Sequence, residues 1–93
     1  MLKYLTLSLA LTAAPLAADT TGCTQAGNTA AAIMEARQVG IPVSKVIDIF
    51  DSDVITAIIL AAYQTPRYST DEFQQRAVDD FRNEIEVMCY EME

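Results

Sequence analysis

Apolar residues open the chain as one nearly unbroken run and then settle into helical spacing. Residues 5–14 are apolar apart from small hydroxyl residues, Pro15-Leu16-Ala17-Ala18 follows, and Asp19 ends the run. Beyond it Ala26, Ala30, Ile33, Met34 and Arg37 recur at helical spacing, which predicts a helix over about 24–38 with Gly40 as its stop. Val46, Ile47, Ile49 and Phe50 predict a short second helix over about 43–51, with Pro42 near its start and Ser44 as its cap. Residues 53–64 are apolar nearly all round and predict a third helix at the centre of the domain, started by Ser52 or Asp53. A buried strand is the alternative for 54–60, where β-branched residues dominate, but the Ala61-Ala62 continuation favours helix. Ser69-Thr70-Asp71-Glu72 has the capping-box form. It opens a last helix over about 70–90, with Phe73, Ala77, Phe81, Ile85, Met88, Cys89 and Met92 as its apolar stripe.

The opening run reads differently from the helices after it. A short start carrying Lys3, an apolar stretch and small residues before a polar one describe a secretory signal peptide, residues 1–18, cut after Ala18. The stretch is shorter than the roughly 20 apolar residues a transmembrane helix needs. An uncleaved anchor, or a first helix of the fold, is the alternative; Asp19-Thr20-Thr21-Gly22 is expected to break it. Residues 19–93 then form one helical domain. The expected location is periplasmic or secreted, with no stable membrane association after cleavage.

Charge and cysteine count sharpen this picture. Loss of residues 1–18 removes only Lys3 among the charged groups, so five cations face the 13 carboxylates counted over the chain. Such a surface repels nucleic acid and anionic lipid, and accommodates a protein or peptide partner more readily. The sequence sets no oligomeric state. With no His, the chain lacks the commonest general base and neutral metal ligand. Its two Cys, Cys23 and Cys89, lie near the two ends of the domain. In an oxidising compartment they read as one disulfide, a useful staple for so small a core. The expected fold is therefore all-α, a small bundle of three to four helices whose first and last members are tied by that bridge.

Ile33-Met34-Glu35-Ala36-Arg37-Gln38-Val39-Gly40, Ala61-Ala62-Tyr63-Gln64-Thr65-Pro66-Arg67-Tyr68-Ser69 and Asp80-Phe81-Arg82 ahead of Cys89 stand together in one short exported chain. This resembles a family of short, exported, uncharacterised proteins of phage and proteobacterial genomes, and the resemblance brings no known activity. A looser likeness, in size, compartment and single disulfide only, is to acid-stress periplasmic chaperones of the HdeA type. Small helical immunity proteins share the same plan.

Candidate chemistry is sparse. Asp48, Asp51 and Asp53 fail the calcium-loop pattern, because Ile55 stands where an oxygen ligand is due. Glu84, Glu86, Glu91 and Glu93 read as a solvated helix face, and Ser44, Ser52 and Ser69 have no His to activate them. No catalytic residue, cofactor or metal is expected. Arg37 and Arg82 lie beside apolar helix positions; they fit internal ion pairs with Glu35 or Asp79, or recognition of an anionic group. Tyr63, Arg67 and Tyr68 surround the turn at Pro66 and form a candidate interface, or else complete the core and pack the corner. The leading expectation is a non-catalytic, exported interaction domain, phage-encoded or immunity-like in character. An acid-activated holdase is the alternative.

Overall fold

The computed structural model describes the backbone of residues 6–92 and the side chains of residues 22–92. Lys3 and Glu93 therefore lie outside the described residues, as does the rest of the basic start. Among the described residues the chain forms four helices and no strand: α1 (Thr6–Val39), α2 (Val43–Ile49), α3 (Asp53–Ala62) and α4 (Asp71–Met92). α1 and α4 make the most extensive contact, and α2 and α3 pack on α1 and on each other. The strand alternative for 54–60 is thereby ruled out.

Cys23 and Cys89 are joined, with a Cα–Cα distance of 5.6 Å. Because α1 starts well before it, Cys23 lies at the middle of that helix, and the bridge fixes this midpoint to the last turn of α4. At the opposite end, Gln38 of α1 touches Pro66 and Tyr68, just ahead of α4. The C-terminal half of α1 and α4 therefore run antiparallel, held at both ends of their contact. Between those ends Ala30, Ala31, Ile33 and Met34 of α1 bury against Ala77, Val78, Phe81 and Ile85 of α4. The small Ala30 and Ala31 side chains let the helices approach closely. Val46 of α2 and Ile59 and Ala62 of α3 complete the core.

Several local expectations shift. α1 begins at Thr6 and runs through residues 19–22, where a break was expected. Asp, Thr and one Gly each lower helix propensity by about 1 kcal/mol or less and keep every backbone donor, so they weaken a helix without stopping it. α2 starts after Pro42, which makes no side-chain cap bond, and Ser44 lies inside the helix rather than capping it. Ser52 does cap α3, its Oγ accepting from the Ile55 amide at 3.3 Å. At α4 the cap falls one residue later than expected. Thr70 Oγ1 accepts from the Phe73 amide at 3.3 Å, and Asp71 and Glu72 occupy the first turn, where the helix dipole favours them.

The largest correction concerns α3. It buries only Ile59 and Ala62, leaving Val54 at 71% and Leu60 at 48% exposure. It is a peripheral helix with one face on α1, not the centre of the domain. A bundle this small has room for one central helix, and α1, contacted by all three others, takes that place.

Candidate functional site

The two sequence stretches singled out around Arg37 and Tyr63 meet in space. Gln38 reaches the α1 C-terminus with its side chain on the buried stripe, one helical turn beyond Met34, and is 2% exposed. Its Nε2 donates to the Pro66 carbonyl at 2.9 Å and rests 3.6 Å from Met34 Sδ. Its Oε1 accepts from the Tyr68 amide at 2.8 Å. One amide side chain thus pairs with two backbone groups of the turn between α3 and α4. Arg67 Nε answers by donating to the Gln38 carbonyl at 3.1 Å, and Arg37 Nε donates to the Thr65 carbonyl at 2.8 Å. Tyr63 Oη donates to the Ile41 carbonyl at 2.6 Å, and the Arg37 guanidinium lies over the Tyr63 ring, 5.3 Å from its centroid. Burial pushes the Tyr63 phenol above its usual range, and the nearby Arg37 charge opposes that shift.

Gly40 completes the clip. It has φ of +92°, and a Cβ there would stand 3.1 Å from the Arg67 guanidinium carbon. The backbone of α1 turns sharply at a position that strongly favours glycine, and Arg67 lies across it.

Four of the five candidate interaction residues, Arg37, Tyr63, Arg67 and Tyr68, therefore gather at this corner. There they tie α1 to the turn before α4. The fifth, Arg82, sits apart on α4, where Nη1 donates to Asn28 Oδ1 of α1 at 2.6 Å. The expected ion pairs do not form. The single salt bridge among the described residues joins Arg76 and Glu72 on the surface of α4. Glu35 is two residues from Arg37 and so points well round the helix, while Asp79 accepts from Gln75 Nε2 at 3.0 Å. Backbone carbonyls and an asparagine amide take the place of the carboxylates. Gln38 is the residue that sequence reading missed. Its spacing from Ala30 and Met34, four residues at each step, places it on the buried stripe and was the available signal.

A second site lies at the other end of the bundle and involves none of these residues. α3 and the C-terminal half of α4 both lean on α1 but diverge from each other. The groove between them is lined by Val54, Ala57 and Ile58 from α3 and by Ile85, Met88, Cys89 and Met92 from α4, with Ala26 of α1 as its floor. Its volume is about 370 Å³ and its lining is almost wholly apolar. A smaller hollow of about 130 Å³ continues it past Ala61, Phe81 and Glu84. Met88 is 50% and Met92 83% exposed, so the outer wall of the groove stands in water. Both had been expected on the buried stripe of α4; α3 does not reach far enough to cover them. Phe73, on the same expected stripe, is also exposed and packs against the Tyr68 ring at a centroid distance of 6.2 Å.

The groove lining presents no nucleophile paired with a base, and the clip presents carbonyl-bound arginines. No group of three or more Cys, Asp or Glu is arranged to hold a metal ion among the described residues. No helix there is long and apolar enough to cross a membrane. No family model matches this chain, and no curated protein or solved structure matches it significantly.

Proposed function

We propose that this chain is an exported, non-catalytic binding domain that engages a protein partner through the groove between α3 and α4. The observation that carries the reading is the open, almost wholly apolar groove between α3 and α4. Large exposed apolar surfaces on small folded domains mark interaction sites. Met88 and Met92 on the outer wall supply flexible side chains that adapt to a partner. The signal-peptide pattern of residues 1–18 and the Cys23–Cys89 bridge support a periplasmic or secreted location, and an immunity-like role rests only on the small helical plan that such proteins share. Arg37, Tyr63, Arg67 and Tyr68 act as the fastening of the bundle in this reading, not as the contact surface.

The test is site-directed photocrosslinking in the oxidising compartment. A crosslinker at Ala57, in the groove, is expected to capture one stoichiometric protein that a crosslinker at Glu72 does not. Capture of the same set of abundant proteins from both positions would refute the assignment. An acid-activated holdase is the second reading, motivated by the 13 carboxylates and the exposed apolar side chains of α3. It requires suppression of client aggregation near pH 2–3 and none at pH 7, and equal or absent suppression at both removes it.

A further inference from the structure

Charge around the groove is one-sided. No Lys or Arg occurs from residue 46 to 66, nor from 83 to 93, so neither wall carries a cation. On α4, Glu84 lines the smaller hollow that continues the groove, beside Met88, and Glu91, three residues past Met88, lies on the same strip. On α3, Asp53 stands one turn before Ala57 on the strip facing the groove, and Asp51 precedes it. The nearest α4 cation, Arg82, is two residues from Glu84 and occupied by Asn28 on the opposite flank. The rim is therefore acidic on both sides.

The last turn of α4 is also mismatched to its own dipole. It contains no basic residue, and Glu91 lies within it. Cations are favoured at that end and anions disfavoured, by about 0.3–1 kcal/mol each. A basic group brought by another molecule would correct this.

We infer that the occupant of the groove is a single amphipathic helix of the partner protein whose apolar face is flanked by Lys and Arg. This inference rests on the binding reading above and adds the chemistry of the partner. The walls are helices, and no strand edge exists among the described residues, so an added strand has nothing to pair with. α3, ten residues long, spans about 15 Å, which matches about three turns of an incoming helix. A second copy of this chain fits poorly, because its own acidic rim would meet this one. A fatty acid fits poorly too, because its carboxylate would meet the same rim.

The experiment uses the oxidised full chain and three labelled 14-residue peptides, read by fluorescence anisotropy. One is a Leu/Lys amphipathic helix. The second is its Leu/Glu counterpart, and the third has the Leu/Lys composition scrambled to abolish the apolar face. The amphipathic Leu/Lys peptide is expected to bind at least about tenfold tighter than either control. The Val54→Gln/Met88→Gln double variant, at exposed positions, should weaken it by about tenfold. Glu84→Gln/Glu91→Gln should weaken it and flatten its salt dependence. Equal binding of the Leu/Lys and Leu/Glu helices, still sensitive to Val54→Gln/Met88→Gln, would overturn the charge assignment while leaving the groove as a binding site. Equal binding of the scrambled peptide, or indifference to both double variants, would overturn the helix-in-groove inference itself. Displacement of the Leu/Lys peptide by a fatty acid at equal concentration would overturn it in favour of a small apolar ligand.

Discussion

Gln38 offers the sharpest test of how the bundle is held. Truncation by Gln38→Ala removes two short neutral hydrogen bonds, to the Pro66 carbonyl and from the Tyr68 amide. Each is worth a net 0.5–1.5 kcal/mol or so, and each leaves a backbone group without its partner. Water can reach both partners in part, because Pro66 and Tyr68 are themselves exposed. The buried stem of a side chain with only 2% exposure is lost as well, opening a small cavity beside Met34. Together these put the loss at about 2–4 kcal/mol, or roughly 10–25 °C in Tm for a domain of this size. Urea unfolding of the oxidised protein measures it, with an unchanged slope expected. Gln38→Glu separates the two bonds. It keeps an oxygen for the Tyr68 amide but sets a carboxylate oxygen against the Pro66 carbonyl. Burial and that carbonyl hold the introduced carboxyl above its ordinary range, so this variant should gain stability relative to wild type as pH falls and the acid becomes a donor. A loss below about 0.5 kcal/mol for Gln38→Ala, the size of an ordinary surface change, would refute the clip as a structural device. So would a Gln38→Glu deficit that is flat with pH.

Three further outcomes follow from the same geometry. Paired Cys23→Ser/Cys89→Ser substitution opens a loop with a sequence separation of 66 and should cost roughly 4 kcal/mol by denaturant unfolding; a loss under about 1 kcal/mol would mean that the α1–α4 core holds this end unaided. Gly40→Ala forces a side chain to φ of +92° against Arg67 and should cost about 1–2 kcal/mol, with Gly40→Asn falling between Ala and wild type in the same assay. Because the folded Tyr63 phenol lies above its unfolded value, its contribution is complete below about pH 10 and fades as pH rises through the folded value. The alkaline fall in stability should therefore be shallower for Tyr63→Phe than for wild type, and identical slopes would contradict the burial of that hydroxyl.

Much of this architecture could be read from the chain because it rests on local rules. Helical spacing located the helices that follow the opening run, and two cysteines in one short chain allowed a single pairing. What escaped the sequence depends on which surfaces meet. Ser69 and Thr70 are both competent caps, and only the approach of the chain to α4 chooses Thr70. α3 is apolar nearly all round, which composition reads as burial, yet α1 and the short α2 cover only part of its surface. Gln38 is polar at the end of a helix, an unremarkable residue until Pro66 and Tyr68 are brought to it from some thirty positions away. The arginines went astray for a related reason. Sequence offers carboxylates as their partners, while the folded turn offers backbone carbonyls, which leave no trace in composition.

The two ends of the bundle are fastened by different means, and that difference explains where the groove can exist. At the Gln38 end, side chains bonded to backbone bridge α1 and the α3–α4 turn, and the hollows beside them, lined by Glu35, Gln38, Asp71 and Gln74 or by Tyr68, Phe73, Arg76 and Asp80, are largely polar or charged. At the Cys23 end α3 and α4 part, and the apolar faces of both stay in water, a cost that packing would normally remove. A covalent bond holds α4 against α1 there without requiring that α3 cover it. The bridge thus replaces the burial that closing the groove would have contributed, and lets a small domain keep an apolar surface exposed without losing its fold. In the proposed binding role the disulfide would border the site as well as staple the fold. Cys89 lines the groove itself, and its bond to Cys23 holds that wall of the groove against α1.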